Sequence, residues 1–354
     1  MTRDELERAI HGGEVISRAS FAGVALDGAK LSGGVFEAVD FSGANLAGAT
    51  FRESILTGCR FDGGNLAGVD VGQAVLDKCS FRGVQATGFK AVAVQAGGSD
   101  FGAAMLEGAD LTLAMIARCR FEWTKLGGAN LDKATLAECA TMGADFTRAR
   151  LPEAALIEPD LTRSSMAGAQ FFRTVLLKAN LAGRSLAGLA FPQCQFMESD
   201  LTGCDLTNAD LRQAGFGKAK LDGARLDGAR LAQAILMEAS LAGASLVRAD
   251  LTSATISGAI APEADFSGAR MYQCIAIGLK APRARFSGAD LTYADFSHAE
   301  VEGAGFDGVT FSRTVMHAVR DGGADLAGRR GVMPQDQERH TAEGWHARWR
   351  QPQK

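Results

Sequence analysis

Large apolar residues recur at every fifth position of this chain, and the register does not slip between Ile16 and Met316. All but seven of the 61 positions in that series are Leu, Phe, Ile, Val or Met. The exceptions are Ala86, Ala91, Ala96, Thr141, Ala261, Ala276 and Ala281. A strict short repeat over most of a chain determines its architecture before any local signal is considered.

A period of five fits neither regular secondary structure. In a strand, residues five apart point to opposite faces. In an α-helix, the apolar stripe would drift by about 140° per repeat. The chain must therefore turn once in each repeat, so that every apolar side chain points at a common axis. This predicts a solenoid whose coils stack through strand-like ladders.

The other positions of the repeat agree with this interpretation. The residue two before each central residue is nearly always small, as at Ala44, and shares its inward face. Gly often follows the central residue by two, as at Gly23, where a tight turn is needed. The remaining positions are mostly polar and are predicted to face water. Phenylalanines recur every twenty residues from Phe21 to Phe121, which favours four repeats per coil.

The pattern of a small residue, Asp or Asn, Leu or Phe and two variable residues resembles the pentapeptide repeat family. Instances are Ala44-Asn45-Leu46-Ala47-Gly48, Ala109-Asp110-Leu111, Ala129-Asn130-Leu131, Ala209-Asp210-Leu211, Ala249-Asp250-Leu251 and Ala289-Asp290-Leu291. The resemblance covers roughly residues 14 to 328. It implies an all-β fold, a right-handed quadrilateral β-helix with one pentapeptide per side and about 15 to 16 coils.

Three segments follow from this pattern. Residues 1–13 are predicted to form an N-terminal cap helix, since Thr2 and Glu5 have the spacing of a capping box. Residues 14–328 form the β-helix, and its uninterrupted register indicates one elongated domain. Residues 329–354 leave the repeat and are expected to form a helical tail. Caps are needed because the two ends of a β-solenoid expose unpaired strand edges.

Two internal stretches depart from the repeat. Between residues 83 and 99 the central residues are Ala, and bulky Phe89 takes a small-residue position. Between residues 272 and 285 two more central residues are Ala, and Pro282 follows one of them. Each stretch can be a bulge, a loop that carries binding or a tolerated irregularity in a regular coil.

All seven cysteines occupy the small inward position, which predicts buried thiols that replace Ala. They are Cys59, Cys79, Cys119, Cys139, Cys194, Cys204 and Cys274. Cys59 and Cys79 would be stacked neighbours, so distance alone leaves a disulfide open. The odd count and the lack of a signal-peptide pattern favour reduced thiols and a cytoplasmic location.

Composition and charge restrict the classes of partner and ligand that we expect. The formal net charge of −4 favours neither direct nucleic-acid binding nor a membrane surface. No apolar run is long enough to cross a membrane. The five histidines are scattered and lack metal-ligand spacing with cysteine or with one another. We therefore expect no catalytic residues, no metal, no cofactor and no enzymatic activity.

The candidate contacts are on the surface. Trp345 and Trp349 lie four apart in the tail, where a helix can fold back over the last coil or can anchor a dimer or another partner. A run of carboxylates without intervening Lys or Arg is a candidate acidic face, although it can equally be a solvated surface. It consists of Asp290, Asp295, Glu300, Glu302 and Asp307.

Two functions remain open. The first is a non-catalytic scaffold or adaptor that binds proteins, in the manner of family members that accompany bacterial type VI secretion machinery. The second, implied by other members of the family, is a DNA mimic that binds DNA gyrase or topoisomerase. Mimicry needs dense negative charge, whereas residues 111–195 carry seven acidic and ten basic side chains. One continuous acidic face would favour mimicry, and mixed charge on all sides would favour the scaffold.

Overall fold

The computed structural model describes residues 1–323, 326–333 and 335–349, with the backbone alone for Ala327 and for residues 344–349. The contacts divide the chain into two compact units, unit 1 (Met1–Leu181) and unit 2 (Ala182–Lys354), where the sequence had indicated one domain. Each unit is a parallel β-solenoid, and the chain makes about 16 coils. The predicted all-β solenoid is therefore confirmed.

Residues twenty apart pair in parallel throughout both units, as in Asp40 with Arg60 and Asp205 with Arg225. Each coil therefore has four sides of one pentapeptide, as predicted. Dividing the number of a central residue by twenty leaves a remainder of 16, 1, 6 or 11. We name the corresponding sides A, B, C and D. Side A thus contains Ile16 in unit 1 and its counterparts at every twentieth position, and sides B, C and D follow it in turn.

Side A of unit 1 is a nine-stranded parallel sheet in the order β1-β2-β3-β4-β5-β6-β7-β9-β11, and β8 pairs with β10 on side D. The strands are β1 (Val15–Ser17), β2 (Val35–Glu37), β3 (Ile55–Thr57), β4 (Val75–Asp77), β5 (Gln95–Gly97), β6 (Met115–Ala117), β7 (Thr135–Ala137), β8 (Arg150–Pro152), β9 (Ala155–Ile157), β10 (Gln170–Phe172) and β11 (Val175–Leu177). On the other sides, single bridges between coils replace full strands.

Local hydrogen bonds explain the residue preferences of the repeat. The residue two after the central position adopts a left-handed conformation in nearly every repeat, as at Gly23 with φ of 68°, which accounts for the frequent Gly. The residue before the central position is often Asp because its side chain closes the turn. Asp40 Oδ1, for example, accepts the backbone N–H of Ser42 at 2.9 Å.

The core is a stack of like side chains. Phe61 lies between Phe41 and Phe81, with ring centroids 5.0 and 4.7 Å away and nearly parallel planes. The ring of Phe51 meets Phe61 edge-on at 6.0 Å. Offset and edge-on aromatic contacts add to the hydrophobic stabilisation of such a core.

The two stretches that depart from the sequence repeat, residues 83–99 and 272–285, form regular coils. In each, a large side chain at one inward position offsets a small side chain at the other. Phe89 is buried beside the small central residue Ala91, and Leu279 is buried beside Ala281. In each pair the larger side chain fills the space that the alanine leaves. Neither stretch forms a loop or a bulge.

All seven cysteines are buried free thiols, as predicted. Burial raises the pKa of the Cys119 and Cys274 thiols to about 12, and that of Cys204 to about 11. A thiol is a nucleophile only as the thiolate. The raised pKa values keep Cys119, Cys204 and Cys274 as thiols at neutral pH, and all seven cysteines pack in the core.

Helix α1 (Arg3–His11) covers the first coil and begins with the predicted capping box of Thr2 and Glu5. Arg3 donates from Nη1 to the carbonyl of Asp27 at 2.8 Å and from Nη2 to that of Gly28 at 3.0 Å. Glu7 Oε1 accepts the backbone N–H of Lys30 at 2.9 Å. In later coils the backbone groups equivalent to those of Asp27 and Lys30 bond to a preceding coil, and the two helix side chains take that role at the first coil.

We expect Glu7→Ala to lower the free energy of unfolding of unit 1 by about 1 to 2 kcal/mol at neutral pH, because the Lys30 N–H and Arg3 lose their acceptor. The backbone hydrogen bond from Lys30 lowers the pKa of Glu7. A lowered pKa in the folded state stabilises above the ordinary value of the carboxyl group, and this contribution disappears as the pH falls through the folded value. Urea unfolding at neutral and acidic pH measures both effects.

Glu14→Ala is the matched control, because Glu14 is an exposed carboxylate beside the same coil. It should change the free energy of unfolding by less than about 0.5 kcal/mol. Equal losses in the two variants would contradict the capping role of Glu7.

The C-terminal end of unit 2 is closed by β12 (Thr314–Val315), a 3-10 helix (Leu326–Gly328), β13 (Val332–Met333) and helix α2 (Gln337–Trp349). Strand β13 pairs with β12 in parallel. Arg329 Nη1 donates to the carbonyl of Phe306 at 3.0 Å, as Arg3 does at the other end of the chain. The tail is thus helical from Gln337 to Trp349.

Candidate interaction surface

Side A of unit 2 exposes aliphatic side chains where the other sides carry charge. The residues before its central positions are Gln195, Gly215, Ile235, Thr255, Ile275, Asp295 and Val315, of which Asp295 alone is charged. The residues after the central positions include Met197, Met237 and Ile277. Between 37% and 49% of each exposed aliphatic side chain on this side faces solvent.

The glycines at 215 and 217 create a shallow depression on side A. Its volume is about 370 Å³, and its lining includes Met197, Ile235 and Met237. The coil lacks side chains at these two positions, while the coils on either side present theirs. The result is a slot with aliphatic walls, whose lining also includes Gln195, Glu198, Lys218 and Glu238.

Side A of unit 1 has the same character. Its outward residues include Val15, Ile55 and Met115, with 55%, 47% and 56% of their surface exposed. Val35 and Val75 lie between them and are half-buried. Contiguous exposed apolar surface is uncommon on a soluble monomer and marks interaction sites.

Sides B, C and D of unit 2 carry alternating charges that pair between coils. Ion pairs join Lys220 to Asp200 (4.0 Å), Arg225 to Asp205 (3.9 Å), Arg230 to Asp210 (3.7 Å), Arg285 to Asp265 (2.8 Å) and Arg320 to Glu300 (3.0 Å). Exposed pairs of this kind contribute little stability each. Their importance here is that these five carboxylates each have a positive neighbour one coil away.

The five carboxylates of the candidate acidic face are distributed over all four sides of the coil. Asp290, Asp295 and Glu300 precede central residues of three successive sides, and Asp307 belongs to the fourth. Asp290 and Asp295 also accept backbone N–H groups of their own turns, at 3.0 and 2.8 Å. The carboxylates wind around the coil because residues five apart lie on adjacent sides. Glu302 shares side B with Glu300.

The side chains of Trp345 and Trp349 lie outside the described residues. The backbone at both positions belongs to helix α2. Their part in a dimer or partner contact stays a prediction.

Sequence reasoning missed the apolar side because it compared neighbouring repeats. Outward residues of one side are twenty apart, so Ile235, Thr255 and Ile275 are separated in the sequence by repeats that belong to the other three sides. Aligning the chain in rows of twenty would have shown this column, since Asp295 is the one charged residue among those that precede the central positions of side A. The aliphatic residues at these positions were the available signal.

A model of pentapeptide repeats matches the sequence in eight copies and covers more than half of the chain. The matched residues are 19–58, 54–90, 97–139, 176–213, 214–252 and 276–308. The chain belongs to the pentapeptide repeat family. A comparison with curated proteins found no match to this chain.

Solved structures of pentapeptide repeat proteins are similar to this chain. A trypsin-treated form of QnrB1, a plasmid-mediated fluoroquinolone resistance protein, is 20% identical over 63% of this chain and 95% of its own, with a TM-score of 0.35. HetL, a protein involved in heterocyst differentiation regulation in Nostoc sp. strain PCC 7120, is 22% identical over 89% of this chain and 97% of its own, with a TM-score of 0.18.

Among the described residues, no helix of this pentapeptide repeat protein is both long and apolar enough to span a bilayer. Helix α2 has 13 residues, and helix α1 has 9.

Proposed function

We propose that this protein is a non-catalytic scaffold that binds other proteins along side A. The observation that carries the proposal is the column of exposed aliphatic residues with the slot at Gly215 and Gly217. The partner it fits presents aliphatic side chains to the column and polar groups to Glu198, Lys218 and Glu238, which also line the slot.

The pentapeptide fold supports such a role. Its interior is filled by stacked side chains, and its seven cysteines are buried among them. Proteins built on this repeat generally act through their surfaces. A regular ladder also holds the aliphatic groups at fixed spacing, which reduces the ordering cost of association.

The charge distribution does not favour the DNA-mimic alternative. A mimic must present continuous negative charge to a site that binds phosphates. Sides B, C and D instead alternate carboxylates with Lys and Arg that neutralise them. By the criterion of mixed charge, the surface supports a protein scaffold.

Three narrower proposals each draw on a single feature of the chain. Accessory work in a bacterial secretion system draws on the opening helix followed by repeats. A cytoplasmic location draws on the reduced cysteines, and dimerisation through the tail draws on the spacing of Trp345 and Trp349. Removal of the residues after Arg330, followed by light scattering, separates the tail from side A as a contact.

Gly217→Arg should weaken partner binding by at least ~10-fold, because the arginine side chain fills the slot and excludes the partner's side chain from it. The substitution should not strain the fold: φ at Gly217 is ordinary, and the nearest atom to a new Cβ is Met197 Cγ at 4.0 Å. The partner would be identified by affinity purification from native cells, and its purified form titrated calorimetrically against the wild type and the variant.

Gly305→Arg is the matched control on side C of the same unit. It also has an ordinary φ, and a Cβ there would lie 4.0 Å from Ser287 Oγ. Its affinity for the partner should equal that of the wild type. A partner that binds Gly217→Arg and wild type equally would overturn the assignment of side A.

A further inference from the structure

A cluster of two histidines and one glutamate joins helix α2 to the coils of unit 2. Glu343 Oε1 lies 3.2 Å from His298 Nε2, and Glu343 Oε2 lies 3.1 Å from His317 Nε2. The ligand atoms of the three residues all lie within 4.8 Å of one another. Two imidazoles and a carboxylate converge here from three places in the sequence.

The two histidines are held by the ladder itself. His298 and His317 lie in successive coils, and the backbone N–H of His298 donates to the carbonyl of His317 at 2.8 Å. The sequence spacing of 19 residues hides this contact, because one coil is twenty residues. A rigid scaffold beneath two ligands preorganises a metal site.

The environment of His317 points to a ligand. Its side chain is 2% exposed, and Nδ1 has no hydrogen-bond partner among the described residues. Burial of an imidazole costs free energy unless its polar atoms are satisfied. Nε2 lies on the other edge of the ring, faces Glu343 at 3.1 Å and is the atom that can bind an ion in the cluster.

Other charged and titratable groups surround the cluster. Arg339 Nε donates to Glu343 Oε1 at 2.9 Å and competes with any cation for that oxygen. Arg339 is 41% exposed, so it can turn to solvent when the oxygen is taken. His340 lies three residues before Glu343 on the same helix face, and its ring centroid is 6.0 Å from that of His317.

The distances suit a small divalent transition ion. Bond lengths of about 2.0 to 2.1 Å place the ligand atoms of a tetrahedral zinc site about 3.3 Å apart. The two histidine–carboxylate distances are already close to that value. Imidazole suits Zn²⁺ and its neighbours in the first transition row, whereas Ca²⁺ and Mg²⁺ prefer an all-oxygen set.

We propose that His298, His317 and Glu343 bind one Zn²⁺-like ion, with His340 or water as the fourth ligand. The ion would replace the hydrogen bonds between the imidazoles and the carboxylate. It would fasten helix α2, which carries both tail tryptophans, to two coils of unit 2. Both histidines lie on side A, at least four coils after the slot at Gly215 and Gly217, so the ion site and the slot can be tested separately.

The test is calorimetric titration of the chelator-treated full-length chain with ZnCl₂. The wild type should bind one equivalent. His298→Gln and Glu343→Gln, which change exposed or half-exposed ligands and should fold, are each expected to weaken binding by at least ~10-fold. Glu338→Gln removes a carboxylate of the same helix outside the cluster and should leave the affinity unchanged.

CoCl₂ supplies a second readout, because its absorption spectrum reports the ligands. The expected spectrum has d–d bands without a thiolate charge-transfer band, which excludes binding by the seven cysteines. Hydrogen exchange in α2 should slow when Zn²⁺ is added. The proposal fails if the wild type binds no ion, if the ligand variants bind as tightly as the wild type, or if a thiolate band appears.

Discussion

Phe61→Asp is expected to lower the free energy of unfolding of unit 1 by at least ~5 kcal/mol, since it removes a core ring and buries an unpaired charge. Phe61 is 2% exposed. The loss would be comparable with the whole stability of many domains. Because each coil contacts only its neighbours, the coils that contain Phe41, Phe51 and Phe81 should open with it. Urea denaturation and hydrogen exchange measure these effects.

Gln85→Asp introduces the same charge at an exposed outward position of side C in unit 1. Its free energy of unfolding should stay within about 0.5 kcal/mol of the wild type. Phe61→Leu provides a folded core variant, with an expected loss of less than ~1.5 kcal/mol. A Gln85→Asp loss as large as that of Phe61→Asp would refute the assignment of inward and outward positions.

The interior of this protein could be predicted from sequence because the repeat is strictly periodic. Each central residue has the same inward direction, so Phe61 and Phe81 could be assigned without knowledge of any other coil. Phe89 was harder to assign to the core, because it fills the space left by Ala91 and the two inward positions must be considered together. The division into two units has no counterpart in the register and required the contacts.

The outer surface was predicted less well, for a geometrical reason. Function on a solenoid depends on residues twenty apart, and reading along the chain mixes the four sides. Asp290 and Asp295 looked like neighbours on one face, yet a turn separates them. His298 and His317 looked unrelated, yet they adjoin because their spacing is close to one coil. Glu343 required knowledge of how the tail folds back.

Gly331→Ala is expected to detach strand β13 and release the tail of unit 2. A Cβ at this position would overlap the carbonyl oxygen of Phe311 and lie 2.6 Å from its carbonyl carbon. Both atoms are backbone, so no rotamer change relieves the clash. The φ of 92° adds strain for any residue with a side chain. Movement of Gly331 would also break the bond from the Thr314 N–H to its carbonyl, at 3.2 Å.

Gly323→Ala separates strain from steric clash. Gly323 also has a left-handed φ, 88°, but a Cβ there meets nothing within 4 Å. Its cost should be about 1 kcal/mol, with the tail still protected from limited proteolysis. Gly331→Ala should be cleaved in the tail much faster, and it should bind Zn²⁺ less tightly because Glu343 would lose its fixed position. Equal protection of both variants would mean that the tail is not held through Gly331, and wild-type Zn²⁺ affinity in a cleavable Gly331→Ala variant would place the ion away from Glu343.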